Sequence, residues 1–145
     1  MSEETNKALL RRFVEELVNQ GDMAVAPELV ASDFIELDPF PGQAPGRAGL
    51  IESIERLRTA FPDLIWRIEE MVAEGEKVAS LNSWSGTHRG EFLGIAPTDK
   101  RVSMSCMIFD TYEDGRLKKS RLMMNVLSLL QQLGAMPEAG QEKSP

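Results

Sequence analysis

The chain has 145 residues, of which 42% are hydrophobic and 27% charged, and its formal net charge is −7. A chain of this length is expected to form one domain that buries about 70% of its unfolded surface. The negative charge argues against a nucleic-acid partner, because phosphate binding needs a basic face. No apolar run approaches the roughly 20 residues of a membrane-spanning helix, so we expect no membrane partner. The N-terminal residues lack the basic and apolar parts of a signal peptide, which predicts a cytoplasmic location.

The first sixty residues predict three helices and one short strand. Apolar residues with helical spacing begin after a predicted cap at Thr5 or Asn6, and Pro27 interrupts the second helix. The predicted bounds are about 6–20, 22–31 and 47–60 for the helices and 34–37 for the strand.

The rest of the chain changes to the two-residue period of strands. Two hairpin turns, Glu74-Gly-Glu76 and Glu113-Asp-Gly115, separate paired runs. The predicted strands cover about 64–73, 77–85, 101–112 and 116–125, and a short helix follows at 126–133. Helices first and antiparallel strands later predict an α+β fold, in which helices close the concave face of a curved sheet around a pocket. The predicted domain covers 1–137, and the polar composition of 138–145 predicts a disordered tail.

A loop of fifteen residues, 86–100, joins two of these strands. A link this long between neighbouring strands is usually functional. Its glycines at 86, 90 and 94 permit backbone angles that other residues resist, and Pro97 stiffens its end. We predict that this loop forms the rim of the pocket.

The sequence holds too few metal ligands for a zinc site of the usual kind, with Cys106 and His88 the only cysteine and histidine. Cys106 lies in an apolar strand, which favours a buried and inert thiol. There is no Gly-rich phosphate loop and no dinucleotide fingerprint. We therefore expect no metal and no cofactor, which leaves cofactor-free chemistry or simple binding.

Five short motifs follow one another along the chain. They are Asn19-Gln-Gly-Asp22, Asp38-Pro-Phe-Pro-Gly42, Ala60-Phe-Pro-Asp63, Gly86-Thr-His-Arg-Gly-Glu-Phe-Leu-Gly94 and Leu130-Gln-Gln-Leu-Gly134. Together they resemble the SnoaL-like polyketide cyclases of the nuclear-transport-factor-2-like superfamily, over about residues 7–137. The resemblance implies a conical α+β barrel, a homodimer, and cofactor-free chemistry on a small hydrophobic carbonyl compound.

The resemblance also implies a change in chemistry at Asn125. In these cyclases an aspartate near the end of the last strand removes a proton next to a carbonyl, and an intramolecular aldol closure follows. The matching residue here is Asn125, whose amide does not take up a proton at neutral pH. The predicted scaffold therefore lacks the usual base of the family.

Three residues are candidates for catalysis: Asp38, His88 and Asn125. Asp38 is the best surviving carboxylate, or else it only stabilises its turn. His88 could serve as acid or base near neutrality, or act as a structural hydrogen-bonding group. Asn125 could bind a ligand carbonyl, or satisfy neighbouring backbone groups as buried amides usually do.

Candidate ligand-binding residues lie on the predicted strands. They are Trp66, Asn82, Trp84, Arg121 and Met123. Strand alternation puts Arg121, Met123 and Asn125 on one face, and the family analogy makes that the pocket face. Arg121 would pair with a carboxylate or enolate there, or else reach solvent or an acidic rim residue. Trp66 and Trp84 are either pocket walls or core, and Asn82 lines the pocket or a dimer contact.

Three functions are open at this point, one of them that of a hydrolase or hydroxylase relative within the same superfamily, and two of them fit these expectations better. The first is a cofactor-independent cyclase or isomerase for a hydrophobic, polyketide-like ligand, in which Asp38 or His88 replaces the missing base. The alternative is a protein without catalysis that binds a small apolar molecule.

Overall fold

The computed structural model describes residues 2–136. Its helices are α1 Glu3–Arg12, α2 Ala26–Leu29, α3 Gly46–Ala60 and α4 Val126–Gln132, and its strands are β1 Val30–Glu36, β2 Ile65–Glu74, β3 Lys77–Thr87, β4 Arg101–Glu113 and β5 Arg116–Met124. The five strands form one mixed sheet in the order β1-β5-β4-β3-β2, in which β1 runs parallel to β5 and the other pairs are antiparallel. The predicted α+β fold is confirmed, although the sheet is open rather than closed into a barrel within residues 2–136.

The first helix begins three residues earlier than predicted, because Ser2 caps it. The Ser2 hydroxyl oxygen accepts a hydrogen bond from the backbone N–H of Thr5 at 3.0 Å. After α1 the helical path continues as wider π-helical turns over Phe13–Asn19. It ends at Gly21, whose φ of 68° lies in the left-handed region that favours glycine.

The second helix and the first strand differ from their predicted bounds. A 3₁₀ turn, Met23–Val25, leads into the single turn of α2, and Pro27 lies in that first turn rather than interrupting a helix. The strand β1 begins four residues earlier than predicted because Val30 already pairs with Leu117 of β5.

Helices α1 and α3 cover the concave face of the sheet. Three register shifts mark bulges that bend the strands. They lie in β1, between Ile68 and Glu70 of β2, and between Thr111 and Tyr112 of the β4–β5 pair. The largest fully buried apolar side chains lie between the two layers: Leu10, Leu17, Leu29, Val30, Phe61, Val78, Val102 and Leu129. The covering helices leave part of the concave face as a cavity.

The long loop between β3 and β4 is tied to the end of α3. The backbone N–H groups of Arg89 and Gly90 donate to the Ala60 carbonyl oxygen at 2.8 and 3.1 Å. A side chain at Gly90 would lie 2.7 Å from the Thr59 carbonyl oxygen, so only glycine permits this approach. Residues 91–94 of the loop line the cavity, which confirms the predicted rim.

Two findings concern the rest of the chain. The predicted tail, 138–145, lies outside the described residues. Among residues 2–136, no helix is long and apolar enough to cross a bilayer.

Candidate functional site

A cavity of about 860 Å³ lies between the helices and the concave face of the sheet. Its walls are mainly aromatic and aliphatic, and include Phe13, Phe34, Phe40, Leu57, Trp66, Trp84, Phe92, Leu122 and Met124. A cavity of this size and character suits a ligand with several rings.

On the sheet side, two carboxyl groups and a hydroxyl group interrupt this apolar wall. Glu36 of β1 pairs in register with Ser120 of β5, and Ser120 pairs with Asp110 of β4. All three residues line the cavity. Directly paired residues on adjacent strands point to the same face, so the three side chains form a row across the sheet with Ser120 in the middle.

Burial keeps protons on both carboxyl groups at unusually high pH. Burial, followed by the charges of Asp110 and Asp38, raises the pKa of Glu36 to about 8, although the Ser120 hydroxyl and Arg121 act in the opposite direction. Burial raises the pKa of Asp110 to about 7, against hydrogen bonds from Ser120 and Tyr112 that favour its charged form. Near neutral pH the pair therefore retains protons that ordinary carboxyl groups have lost.

Two hydroxyl groups, those of Tyr112 and Ser120, lie close to the carboxyl pair. The Tyr112 hydroxyl lies 3.5 Å from Asp110 Oδ2. Ser120 interacts with both carboxyl groups, yet its single hydroxyl proton can be donated to only one of them. Asp110 Oδ1 is buried and has no hydrogen-bond partner among the described residues, so its lone pairs are free.

Both predicted tryptophans line the cavity, where their rings stack. The ring centroids of Trp66 and Trp84 are 6.2 Å apart with an interplanar angle of 5°. Asn82 is fully buried behind Trp66, and its Oδ1 accepts a hydrogen bond from the Trp66 indole N–H at 3.1 Å. Asn82 is not among the residues that line the cavity, so it positions the Trp66 ring instead.

His88 is fully buried beneath the rim loop and does not line the cavity. Its Nδ1 accepts a hydrogen bond from the backbone N–H of Thr98 at 3.2 Å and lies 3.0 Å from the Thr98 hydroxyl. Its ring packs against Phe61 with a centroid distance of 5.5 Å. These contacts fit the structural alternative, in which His88 closes the base of the loop.

The prediction that Arg121 and Met123 face the pocket is wrong, because the inward and outward positions of the last strand are shifted by one residue. Leu122 and Met124 line the cavity, whereas Arg121 and Met123 project from the opposite face, where Met123 is 62% exposed. Arg121 Nε lies 3.7 Å from Asp38 Oδ2, which matches the alternative of a pair with an acidic residue. Asp38 also lies outside the set of lining residues.

Asn125 is exposed and begins the last helix instead of lying at the pocket floor. Its Oδ1 accepts a hydrogen bond from the backbone N–H of Ser128 at 3.0 Å, which makes it the N-cap of α4. The amide at this position therefore says nothing about a missing base, because the carboxyl groups of the cavity come from other strands.

This role of Asn125 predicts a capping phenotype without a catalytic one. Asn125→Asp is expected to leave stability and any activity near wild type, since aspartate caps helices as well as asparagine does. Asn125→Ala is expected to lower the free energy of unfolding by about 0.5–2 kcal/mol. Urea denaturation of the two variants measures the difference. If Asn125→Asp gained activity, residue 125 would belong to the active site and this interpretation of Asn125 as a helix cap alone would be wrong.

Sequence reasoning missed Glu36, Asp110 and Ser120. A signal was present for Asp110, because it is the only charged residue between Val102 and Tyr112. A lone carboxyl group at a buried strand position needs a functional or structural partner.

Cys106 lies on the buried face of β4, and burial raises the pKa of its thiol to about 12. The predicted inert thiol is confirmed. Within residues 2–136, no group of three or more His, Cys, Asp or Glu side chains is placed to hold a metal ion.

The concave face of the sheet carries a carboxyl pair inside an apolar cavity that helices cover. These features define a protein of the nuclear-transport-factor-2-like fold class that is built around a small-molecule pocket. The family comparison is more specific. Residues 8–133 match the family model of the SnoaL-like polyketide cyclases, and the chain belongs to that family.

Solved structures with the same fold match nearly the whole chain. TsrD from Streptomyces laurentii is 25% identical with a TM-score of 0.86, and the match covers 94% of this chain and 99% of TsrD. AclR, a proposed hydroxylase from Streptomyces galilaeus, is 27% identical with a TM-score of 0.82 and coverage of 97% and 87%. IdmH, a proposed polyketide cyclase from Streptomyces antibioticus, is 28% identical with a TM-score of 0.77 and coverage of 89% and 98%. A search of curated proteins gives no match.

Proposed function

We propose that this protein is a cofactor-independent cyclase or isomerase, which moves a proton next to a carbonyl group of a hydrophobic, polyketide-like substrate. The observation that carries the proposal is the pair of Glu36 and Asp110, two carboxyl groups with raised pKa values in one apolar cavity of about 860 Å³. Two neighbouring carboxyl groups whose pKa values are both raised toward neutrality can supply an acid and a base in one site.

Asp110 is the base in this proposal. Its Oδ1 is buried and has free lone pairs among the described residues, so it can accept a proton from a substrate in the cavity. Its carboxylate takes the proton from the carbon next to the carbonyl, and the electrons of that C–H bond form the enolate. A base near its working pKa is most effective in such a transfer.

Glu36 is the acid that stabilises the enolate. Its protonated carboxyl group donates a hydrogen bond to the substrate carbonyl oxygen, on which negative charge develops. In a cyclisation, the enolate carbon attacks a second carbonyl of the same substrate, and the new alkoxide takes the proton back from Asp110. In an isomerisation, Asp110 returns the proton to a different carbon. Both routes regenerate the ionised Asp110 and the protonated Glu36.

The base thus differs from the residues that the sequence favoured. Asp38, His88 and Asn125 do not line the cavity, so the proposal assigns them no contact with substrate. Trp66 and Trp84 remain its aromatic walls. The likeness to IdmH supports the cyclase class, and the likeness to AclR makes hydroxylation the competing reaction within this fold.

Proton–deuterium exchange tests the proposal directly. The wild-type chain is incubated in D₂O with a panel of acidic-carbon ketones, such as 2-tetralone and aryl 1,3-diketones, and deuterium incorporation is followed by NMR. Exchange above the buffer background is expected for part of the panel. Binding of these ketones without any exchange would favour the alternative, a protein that only holds a small apolar ligand.

The pH dependence of exchange is expected to be bell-shaped. Activity needs Asp110 ionised and Glu36 protonated, so the rate should rise as pH passes about 7 and fall as it passes about 8. The two limbs belong to the coupled pair rather than to either residue alone. Initial rates between pH 5.5 and 9.5 measure the profile. In Glu36→Gln the alkaline limb is expected to disappear, and an unchanged limb there would exclude Glu36 as the acid.

A homodimer is part of the proposal and is supported by the convex face of the sheet. This face exposes Met107, Phe109 and Met123, and Met107 lies directly opposite Met123 in the β4–β5 register. An apolar sheet face of this kind commonly lies at a contact between subunits. Light scattering of the purified chain decides between monomer and dimer. A cytoplasmic location remains a prediction from the sequence.

A further inference from the structure

The tip of the rim loop is a tight turn that contains an unusual residue. Phe92 and Ile95 exchange two backbone hydrogen bonds, at 3.1 and 2.9 Å, and only Leu93 and Gly94 lie between them. The φ angles of Leu93 and Gly94 are 51° and 77°, so both fall in the left-handed region that a type I′ turn requires. This region is unfavourable for leucine, because its Cβ comes too close to the following carbonyl oxygen. The backbone at Leu93 is therefore strained.

The turn between β4 and β5 shows which residues such a turn ordinarily contains. Its two central residues, Asp114 and Gly115, have φ angles of 51° and 76°, which nearly equal those at the rim. Asp-Gly is a preferred pair for a type I′ turn, whereas Leu-Gly is not. The remaining non-glycine residue with a positive φ within residues 2–136 is again an aspartate, Asp99. Leu93 is thus the exception in this part of the chain.

The packing of the turn does not account for the leucine. Phe92 anchors the turn, since it is buried and its ring lies 5.4 Å from that of Phe61 and 6.3 Å from that of Phe40. Ile95 also packs against the hydrophobic core. Leu93 does not belong to that core and is 40% exposed. Burial of its side chain in the fold therefore does not offset the strain of its backbone.

Leu93 lies where the cavity opens to solvent. It lines the cavity, and among the described lining residues it is the only large apolar side chain that is exposed. The other exposed residues of the lining are charged, polar or small, and include Glu52, Glu55 and Arg56 of α3. Backbone strain of this kind is found where a residue is kept for contact with a ligand.

We propose that Leu93 is a specificity-determining residue that covers the outer end of a bound ligand. A ligand long enough to reach the mouth of the cavity buries the exposed part of the Leu93 side chain, and this contact favours it over a shorter ligand with the same inner end. The proposal rests on the proposed function, because it takes the cavity to be the ligand site. It deepens that function by assigning the choice of ligand length to one residue.

Calorimetric titration with two probes of different length tests the proposal. The probes are 2-tetralone and 6-benzyloxy-2-tetralone, which share the ketone end and differ by one aromatic ring at the other end. Leu93→Asn removes the apolar side chain and introduces the Asn-Gly pair that a type I′ turn prefers. We expect it to weaken binding of the longer probe by about fivefold or more, and to change the affinity for 2-tetralone by less than about twofold.

Two further variants serve as controls. Leu93→Met keeps a large apolar side chain and is expected to restore the wild-type affinity for the longer probe. Asp114→Leu places leucine in the matching turn outside the cavity, where it is expected to leave binding of both probes unchanged. Urea denaturation provides an independent readout of the strain. The midpoint is expected to rise in Leu93→Asn and to fall in Asp114→Leu, because only the first replaces a residue that suits the turn poorly.

Three results would overturn the proposal. They are an unchanged affinity of Leu93→Asn for the longer probe, an equal loss for both probes, and a lower urea midpoint in this variant, which would mean that Leu93 supports the fold. Absence of binding of both probes to the wild-type chain at millimolar concentration also counts against it. The outcome is separable from catalysis: a length preference that depends on Leu93, without deuterium exchange, would remove the proposed reaction and leave this contact in place.

Discussion

Replacing Asp110 with asparagine is expected to lower the rate of deuterium exchange by about 100-fold or more, the usual contribution of a general base. The substitution keeps the size and shape of the side chain, but an amide oxygen does not take up a proton at neutral pH. The pocket walls stay intact, so ligand affinity should change less than the rate constant. Exchange rates at saturating ketone, with affinities from calorimetry, separate the two effects.

A matched control lies four residues further along the same hairpin. Asp114→Asn makes the same chemical change at an exposed turn and is expected to leave exchange unaffected. Should Asp110→Asn retain more than a tenth of the wild-type rate, the base must be another residue, and Glu36 would then be the first to examine.

The same substitution is expected to make the protein more stable above neutral pH. The folded pKa of Asp110, about 7, lies above its ordinary value of 3.8. Between these values the folded state binds more protons than the unfolded state, so the free energy of unfolding falls as pH rises through this interval. Asparagine removes that dependence. The gain over wild type should be absent near pH 3 and reach on the order of 2–4 kcal/mol at pH 8.

Urea denaturation at both pH values measures this gain. A variant that lost stability equally at both would show that the carboxylate of Asp110 supports the fold rather than straining it. We expect the variant to be less active and more stable than wild type. This combination is typical of a buried group whose role is catalytic rather than structural.

The sequence was informative where short-range patterns decide the structure. The turns at Gly75 and Gly115 placed the ends of β2 to β5 within about two residues, and the helical spacing before Phe61 located α3. The alternation predicted for β5 is also present in the structure. The sequence could not show which face of β5 is buried, because Leu122, Met123 and Met124 are all apolar and both faces of the strand look like core.

The carboxyl pair depends on two features that alternation does not reveal. Continuing the register of Glu113 and Arg116 regularly along the hairpin would place Lys119 opposite Asp110. The bulge at Thr111 and Tyr112 shifts the pairing by one residue, so that Ser120 occupies that place. Glu36 reaches the row only through the parallel pairing of β1 with β5, a contact between distant parts of the chain.

Among the variants proposed for this protein, Phe61→Ala is expected to lower the free energy of unfolding most, by about 3–5 kcal/mol. Phe61 is fully buried, and its ring packs against Trp84, His88 and Phe92 at centroid distances of 5.1, 5.5 and 5.4 Å. It joins the end of α3, the sheet and the rim loop in one contact. Gly86 leaves room for it, since a side chain there would lie 2.8 Å from the Phe61 Cβ.

Phe109→Ala is the matched control for this prediction, because Phe109 is 50% exposed on the convex face. Truncating it should cost less than about 1 kcal/mol at concentrations where the chain is monomeric, since little apolar area is removed from the core. Equal losses for the two variants would mean that Phe61 does not tie the three elements together. Because Phe61 contacts both Trp84 in the cavity wall and Phe92 in the rim, Phe61→Ala is also expected to weaken binding of 2-tetralone, whereas Phe109→Ala is not. Unchanged binding of 2-tetralone in a folded Phe61→Ala variant would show that the rim keeps its position without this contact.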